Sequence, residues 1–571
     1  MSKKAGLGGF LTSFFFVLNV GYKVGFDLLK SHEKYRNAAL TVTACFSVLK
    51  LEHKNVFEVQ SMIINRIYEA TLGYGKRVHK NIRKKIGQFF TPPSIANYMA
   101  SLMVYNRASI KILDAGAGTG ILAGALCQVI SDNNNIGQVH IDLYENNEDV
   151  LPILRENMEF VREVLEQRGK QFTYSIIQEN FILSNADFWN DIEKREEAEL
   201  YDVIISNPPY KKIAKSDEES VAMDSVVYGQ PNIYFLFMAM SAKLLKNDGQ
   251  LIFITPRSFV SGAYFKRFRE WFLSNVRLTN LHLFNSRGDV FDGDEILQEA
   301  IILKAIKTQD KVDAIMVSSS ENMHFEEITG HKVPYKTIVD TDSENMFIMI
   351  PTAEEEIHLL NTMKDWSYNL PSLGFKLKTG PVVDFRAVKL LREEEGDNTV
   401  PLLWANHFSN YRINFPDADP KNPQYIINTK ESKSLLLDSK DYILVKRFTS
   451  KEERRRIQCA LYFSENFTSD LVGIENHLNY VSKLNGEITK EEMYGLFALL
   501  NSTFIDNYYR ILNGSTQVNA TEVNAIPLPS LQDVKQIGKQ LMNMDSLSTE
   551  VCDAIIESLF EIDNYQAAAA V

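Results

Sequence analysis

Short apolar runs rich in β-branched residues alternate with longer helical stretches between about residues 86 and 305. The apolar runs read KILDAG, QVHIDLYE, FTYSIIQ, YDVIISNPPY and GQLIFITP, and the helical stretches between them include ILAGALCQVI, VLPILRENMEFVREVLEQ and IYFLFMAMSAKLL. A helix that follows each strand returns the chain to the same end of the sheet, so that the strands pair in parallel. The pattern therefore predicts an α/β fold with a mostly parallel sheet and helices on both faces.

Changes in this pattern predict three regions. Residues 1–85 show helical periodicity without a glycine-rich loop, residues 86–310 hold the alternating strands and helices, and residues 311–571 are mixed and punctuated by turns. We interpret the third region as a C-terminal domain of mixed α+β structure. The apolar stretch Phe10–Val20 is interpreted as a buried helix, and no stretch reaches the roughly 18–20 apolar residues that span a bilayer, so no membrane partner is expected.

Charge and cysteine usage restrict the class of protein. The formal net charge of -12 argues against a uniformly nucleic-acid-binding surface, but Lys and Arg cluster locally at Lys76–Lys85, Lys266–Arg269 and Lys446–Arg456. Such runs are as often solvated helix faces as phosphate contacts. The 4 cysteines contain no CxxC pair. We therefore expect no metal site and no disulfide framework, and a reducing cytoplasm fits this usage.

The segment KILDAGAGTG is a strand that turns through Gly116 and Gly118 into a helix. Glycine allows the chain to bend sharply and to approach a ligand closely, as in loops that bind a dinucleotide or S-adenosylmethionine. Asp114 at the strand end favours a cationic or amino-bearing cofactor over a pyrophosphate. Glu145 ends the second strand, where a carboxylate can accept both ribose hydroxyls. Asn180 and Phe181 follow the third strand and are candidates for contact with the cofactor adenine.

The tetrapeptide Asn207, Pro208, Pro209 and Tyr210 at the end of the fourth strand is the most informative motif. Two prolines fix the backbone and remove two donors, so that the Asn207 amide and the Pro208 carbonyl are held as acceptors. Such acceptors suit an aromatic amine, because its lone pair becomes nucleophilic when its hydrogens are pulled out of the ring plane. The Tyr210 ring can stack on a base swung out of a duplex.

Together these segments resemble the gamma-class N6-adenine DNA methyltransferases of restriction-modification systems. GQFFTPPSIANYMASLM is similar to the first cofactor motif of that family and implies that Thr91 helps to hold the methionine part of the cofactor. GDVF resembles the segment whose phenylalanine stacks on the flipped adenine, which implies this role for Phe291. The resemblance implies a Rossmann-like catalytic domain with S-adenosylmethionine as cofactor.

The resemblance extends beyond residue 310. Later segments look like the target-recognition domain of that family, closest to the branch that accompanies PstI-type restriction enzymes; they are LKTGPVVDFRA, YILVKRFTSKEERRR, ENHLNYV and LLNSTFIDNYYRILNGSTQVNATEVNAIPLP. Double-stranded DNA is then the implied partner, with base flipping and site-specific adenine methylation as the implied activity. A cognate restriction endonuclease would be encoded separately.

Three alternatives stay open, together with one departure from the family. Asn180 stands where the family usually carries Asp, which puts its contact with the cofactor adenine in doubt, although an amide oxygen can still accept a hydrogen bond. A methyltransferase that acts on RNA or on a protein glutamine also suits the NPPY motif. An NAD-dependent oxidoreductase suits the glycine loop but leaves NPPY unexplained. A non-catalytic DNA-binding protein is disfavoured because the motifs are intact.

Overall fold

A computed structural model describes residues 62–78, 90–285, 299–341, 343–417, 420–450 and 452–561. The expected helix Phe10–Val20, most of the region 1–85, and Phe291 lie outside the described residues. None of the described helices is long and apolar enough to cross a membrane. The described residues from Ile67 onward form one compact unit.

A nine-stranded sheet dominates the first half of this unit, with the strand order β3-β2-β1-β4-β5-β7-β6-β8-β9. Its strands are β1 (Ser109–Ala115), β2 (Gln138–Tyr144), β3 (Gln171–Ile177), β4 (Tyr201–Ser206), β5 (Leu245–Pro256), β6 (Arg277–Phe284), β7 (Ala300–Ile306), β8 (Ala314–Ser320) and β9 (Ile328–Pro334). Strands β1 to β5 pair in parallel, whereas β7 runs antiparallel to both of its neighbours. The predicted α/β class with a mostly parallel sheet is confirmed.

Helices precede, connect and follow the strands of this sheet. They are α1 (Met62–Arg77), α2 (Pro93–Ser101), α3 (Ile121–Ser131), α4 (Leu151–Gln167), α5 (Ala186–Trp189), α6 (Glu218–Ala222), α7 (Ile233–Leu244), α8 (Lys266–Asn275) and α9 (Tyr335–Ile338). Strand order reverses between β1 and β4, because the chain moves outward in one direction through β2 and β3 and then returns to start β4 on the other side. Right-handed crossovers on either side of such a point leave a crevice at the carboxyl ends of the strands.

Burial explains why these segments become strands and helices. The strand β4 is buried at all of its positions, as expected for a central parallel strand covered on both faces. Helix α7 is almost entirely buried and reads as a continuous apolar run, IYFLFMAMSAKL, rather than as an amphipathic stripe. Both belong to one large hydrophobic core under the sheet.

The second half of the unit contains two smaller sheets. Their strands are β10 (Phe375–Thr379), β11 (Leu391–Arg392), β12 (Thr399–Leu403), β13 (Phe408–Ser409), β14 (Arg412–Ile413), β15 (Tyr425–Ile427), β16 (Leu436–Asp438), β17 (Tyr442–Lys446), β18 (Cys459–Tyr462), β19 (Leu471–Ile474) and β20 (Leu478–Lys483). One sheet has the order β10-β20-β17-β18-β14-β13 and the other β11-β15-β12-β19-β16. The predicted mixed α+β structure is therefore present.

Helices also lie in this half of the unit, and most of them share a core with the first of these sheets. They are α10 (Glu354–Met363), α11 (Asp384–Ala387), α12 (Lys490–Asn501), α13 (Thr503–Leu512), α14 (Ala520–Asn524), α15 (Leu531–Met542) and α16 (Thr549–Phe560). The predicted boundary at residue 310 falls inside the nine-stranded sheet, because β8 and β9 lie beyond it. Two strands that the pattern assigned to the C-terminal region thus complete the first sheet.

Candidate active site

A cavity of about 830 Å³ opens at the carboxyl ends of β1 to β4, beside the point where the strand order reverses. It brings together many of the side chains that the sequence singled out, namely Thr91, Gly116, Gly118, Glu145, Asn180, Phe181, Asn207 and Pro209. Asp114, Pro208 and Tyr210 do not line it. The glycine loop and the NPPY segment therefore border one and the same cavity.

The glycine loop is shaped by backbone conformations that other residues rarely adopt. Gly116, Gly118 and Gly120 have φ of 84°, 55° and 85°. A Cβ on Gly118 would meet nothing within 4 Å, so the loop faces open space there. A Cβ on Gly120 would lie 2.8 Å from Cδ1 of Leu154 and 2.9 Å from Cε of Met158. Gly118 thus leaves room for a ligand, whereas Gly120 allows α3 and α4 to pack closely.

Glu145 holds the loop while facing the cavity. Its Oε2 accepts from the backbone N–H of Gly118 at 2.9 Å, and its Oε1 accepts from the backbone N–H of Asn147 at 2.8 Å. Burial raises the pKa of Glu145, although these backbone donors act in the opposite direction. Each carboxylate oxygen has a second lone pair, so the side chain can still accept a pair of ligand hydroxyls.

Asp114 corrects an expectation, because it lies beneath the loop and makes no contact with the cavity. The side chain is fully buried, and its Oδ2 accepts from the backbone N–H of Ala123 at 3.2 Å. Burial raises the pKa of Asp114 to about 7, with a smaller contribution from the charge of Glu145. The carboxyl group therefore ties the end of β1 to the first turn of α3, and a direct cofactor contact is not supported.

Asn207 is held from both ends of its amide group. Its Nδ2 donates to Oγ1 of Thr91 at 3.0 Å, and its Oδ1 accepts from the hydroxyl of Tyr210 at 2.7 Å. The Tyr210 hydroxyl also lies 3.0 Å from the carbonyl oxygen of Ile254. Burial holds the pKa of Tyr210 well above its usual value, so the hydroxyl keeps its proton and remains a donor. The amide of Asn207 is therefore fixed in one orientation.

The geometry of Pro208 and Tyr210 differs from the expectation. Pro208 is buried, and Tyr210 packs edge to face against Tyr234 with ring centroids 6.3 Å apart. Tyr210 thus acts in this structure through its hydroxyl, which orients Asn207, rather than through an open ring face. Stacking on a base by Tyr210 and Phe291 stays a prediction, and Phe291 lies outside the described residues.

Phe181 lies where the sequence placed it. It is buried at the cavity wall, with its ring centroid 5.0 Å from that of Tyr144 and 4.9 Å from that of Phe237. Asn180 differs from expectation, because its Oδ1 accepts from the backbone N–H groups of Ile182 and Leu183 at 3.0 and 3.2 Å. An amide oxygen has two lone pairs, so this oxygen is not free to accept from a cofactor.

Several lining residues were missed by sequence reasoning. Thr71 and Tyr74 come from α1, and Thr71 Oγ1 lies 2.6 Å from Oγ1 of Thr119 in the glycine loop. Phe237 lies on α7, whose similarity to a family helix could have suggested a wall. Glu219 lies on α6 within the polar stretch SDEES, which reads as an ordinary solvated segment. No local signal marks Glu219, because only the fold brings it to Asn180.

Charges on the cavity wall favour a cationic ligand. Among the described residues, the lining contains the carboxylates of Glu145, Asp149, Glu179 and Glu219 and the cationic side chain of Lys211. A pyrophosphate would be repelled by this wall, whereas a sulfonium and an amino group would be attracted. The negative charge of this wall therefore fits S-adenosylmethionine better than NAD, which disfavours the oxidoreductase alternative.

The basic clusters are partly structural. Arg269 is buried and donates to the backbone carbonyls of Phe259, Gly262 and Asn345. Arg456 is also fully buried, with hydrogen bonds to Thr449 and to the carbonyl of Ser515. These two arginines cannot reach a phosphate. Of the same runs, Arg267 and Arg454 are exposed, and Arg447 is half-buried.

Comparisons with known proteins show which family the chain resembles. Residues 97–291 match the family model described as the Eco57I restriction-modification methylase. The chain is 36% identical to the type II methyltransferase M.BsuBI of Bacillus subtilis over 490 residues, which are 85% of this chain and 96% of that protein. It is 32% identical to the type II methyltransferase M.PstI of Providencia stuartii, over 87% of this chain and 97% of that protein. Among solved structures, the DrdV–DNA complex matches 85% of this chain and 60% of that chain, with 14% identity and a TM-score of 0.43. The chain therefore belongs to the family of type II methyltransferases represented by M.BsuBI and M.PstI.

Proposed function

We propose that the chain transfers a methyl group from S-adenosylmethionine to N6 of adenine in double-stranded DNA, at one recognition sequence and within a restriction-modification system. The observation that carries this proposal is the shared cavity, which Asn207 lines together with the glycine loop and Glu145. The type II methyltransferase names of the relatives and the matching methylase model support DNA as the substrate.

The cofactor would lie along the carboxyl ends of the first strands. Glu145 would accept the ribose hydroxyls, Phe181 would pack on the adenine ring, and Thr91 would lie near the methionine part. When bound, S-adenosylmethionine supplies an electrophilic methyl group on a sulfonium. Asp114 would support the loop from beneath, where its Oδ2 accepts from the backbone N–H of Ala123.

Asn207 would act on the target amine. Its Oδ1, which accepts from the Tyr210 hydroxyl in this structure, would accept from an amino hydrogen of adenine, together with the Pro208 carbonyl. Acceptance of these hydrogens pulls them from the ring plane and frees the lone pair on nitrogen for displacement at the methyl group. The proton then leaves to solvent after transfer.

Base flipping is part of this proposal, because a base inside a duplex cannot reach acceptors at the end of a sheet. Tyr210 and Phe291 are proposed to sandwich the flipped adenine. Tyr210 contacts Tyr234 edge to face in this structure. Reading of the target sequence is assigned to the C-terminal region, where the half-buried Arg447 lies over the ring of the exposed Phe448.

Transfer of tritiated methyl groups tests the proposal. The purified full chain is incubated with labelled S-adenosylmethionine in three parallel reactions, which contain duplex DNA, RNA or protein. The labelled product of each reaction is then digested and separated. We expect label in N6-methyladenine from duplex DNA and none with Asn207→Ala. Label in RNA, in glutamine or in methylcytosine would contradict the proposal.

A further inference from the structure

Asn180 and Glu219 form a polar pair at the cavity wall. Nδ2 of Asn180 donates to Oε1 of Glu219 at 2.8 Å. The orientation of the Asn180 amide is not ambiguous, because its Oδ1 accepts from two backbone N–H groups of the following turn. The amide N–H of Asn180 is therefore the donor of this pair, and the carboxylate of Glu219 is the acceptor.

Glu219 has the position and the chemistry to bind a ligand amine. It is half-buried on α6, and it lines the cavity together with Phe181 and Phe237. Oε2 is the carboxylate oxygen that Asn180 does not engage. A carboxylate in a cavity that two apolar rings also line can offer a charge-assisted acceptor to a planar group packed on those rings.

We propose that Glu219, oriented by Asn180, accepts a hydrogen bond from the exocyclic amino group of the cofactor adenine. This rests on S-adenosylmethionine as the methyl donor in the proposed function. The arrangement also explains why an amide at position 180 is tolerated. A carboxylate there would lie within hydrogen-bond distance of Glu219, and two like charges that close repel each other. The negative charge at this edge of the cofactor site is thus supplied from α6 instead of from the end of β3.

Calorimetric binding of two cofactor analogues tests the role of Glu219. S-adenosylhomocysteine carries the 6-amino donor, whereas S-inosylhomocysteine carries a carbonyl oxygen at that position. We expect the parent chain to bind the adenine analogue more tightly by about tenfold to a hundredfold, as for a hydrogen bond to a charged group. Glu219→Ala should abolish most of this preference. Glu219→Gln should also reduce it, because its amide can donate to the carbonyl oxygen.

The neighbouring Glu218 provides a matched control, since it is exposed and does not line the cavity. Glu218→Ala should keep the parent preference. If Glu219→Ala also keeps it, the proposal is wrong. No DNA is present in this assay, so failure of the parent chain to bind S-adenosylhomocysteine would instead contradict the proposed function itself.

An exchange of the two side chains tests the pairing. Asn180→Asp alone should weaken binding of S-adenosylhomocysteine and make it depend on pH between about 4 and 7, because two adjacent carboxylates share a proton. The double variant Asn180→Asp/Glu219→Gln restores one carboxylate and one amide. We expect it to recover the affinity and the adenine preference to within about threefold of the parent, which is under 1 kcal/mol. A double variant no better than Asn180→Asp would overturn the pairing.

Discussion

Among single residues, Tyr210 orients Asn207 through its buried hydroxyl, and Asn207 is the residue proposed to contact the target amine. The Tyr210 hydroxyl donates to Asn207 Oδ1, and the raised pKa of Tyr210 keeps this donor protonated. The motif alone suggests a stacking ring. The structure adds a positioning role that depends on the hydroxyl and not on the ring.

Tyr210→Phe separates these two roles, because it keeps the ring and removes the hydroxyl. We expect the single-turnover methylation rate to fall about tenfold, which corresponds to a net hydrogen bond of ~1–1.5 kcal/mol, while cofactor affinity stays unchanged. With 2-aminopurine at the target position, Tyr210→Phe should leave the fluorescence of the complex as in the parent, whereas Tyr210→Ala should brighten it. If Tyr210→Phe methylates at the same single-turnover rate as the parent, the Tyr210 hydroxyl does not position Asn207 for the reaction.

The buried carboxyl group of Asp114 leads to a prediction about the pH dependence of stability. Burial raises its folded pKa to about 7, above the usual value of 3.8, so the native protein holds a proton that the unfolded chain loses above about pH 4. Its contribution to stability is therefore present at low pH and is lost as the pH rises from about 4 to 7, by at most ~1.4 kcal/mol per pH unit. Asp114→Asn keeps an acceptor for Ala123 and carries no titrating group.

Urea unfolding of the parent and of Asp114→Asn from pH 5 to pH 8 measures this contribution. We expect the variant to gain stability relative to the parent as the pH rises toward 7, with a constant difference above about pH 8. Parallel stability curves over the whole range would show that the Asp114 pKa is not raised.

At the scale of elements, the turn between β1 and α3 combines two kinds of glycine. Gly118→Ala introduces a strained positive φ into open space, whereas Gly120→Ala adds a methyl group against Leu154 and Met158. We expect Gly120→Ala to destabilise the protein by about 2–4 kcal/mol, from strain and overpacking together. Gly118→Ala should cost about 1 kcal/mol of stability but weaken S-adenosylmethionine binding at least tenfold.

Thermal unfolding and calorimetry of the two variants decide between these effects. The pair is its own control, because both positions have positive φ and only one is crowded by side chains. Equal losses of stability, or unchanged cofactor affinity in Gly118→Ala, would contradict the assignment of Gly118 to the ligand side of the loop and of Gly120 to helix packing.

The elements themselves were largely predictable. Strand and helix periodicity located β1 to β5 and their helices, because burial on both faces leaves long apolar runs in the sequence. The cavity residues that end these strands followed from the fold rule for parallel sheets. Glu219, Thr71 and Tyr74 could not be predicted, since each reaches the cavity through tertiary packing and carries no local pattern. Asp114 was assigned to the ligand because burial beneath the loop is likewise invisible in one sequence.

At the scale of the whole molecule, a buried ion pair joins the nine-stranded sheet to the C-terminal helices. Arg257 NH1 lies 2.8 Å from Glu299 Oε2, and NH2 of the same guanidinium donates to the carbonyl of Ile511 on α13. Ser261 Oγ donates to Glu522 on α14 at 2.7 Å. These polar links lie within the compact unit that the described residues from Ile67 onward form.

Arg257→Met tests this link. It leaves the Glu299 carboxylate buried without its cation, so we expect a loss of about 3–5 kcal/mol in the free energy of unfolding. Addition of Glu299→Leu should recover most of it, because the unpaired charge is removed. Lys266→Met, which removes a partly exposed ion pair with Glu270, is the control and should cost less than about 1 kcal/mol. Urea denaturation of the full chain measures all of these, and equal costs for Arg257→Met and Lys266→Met would contradict the link.

Sequencing that detects modified bases, applied to DNA from cells expressing this chain, tests the proposed methylation of adenine N6 at a fixed sequence. We expect N6-methyladenine at one short sequence, nearly fully modified with the parent chain. With Asn207→Ala we expect no modification, because loss of a positioned acceptor raises the barrier by ~2–4 kcal/mol. Methylated cytosine at the site, undirected methylation, or parent-like modification by Asn207→Ala would show that the chain does not methylate adenine in this way.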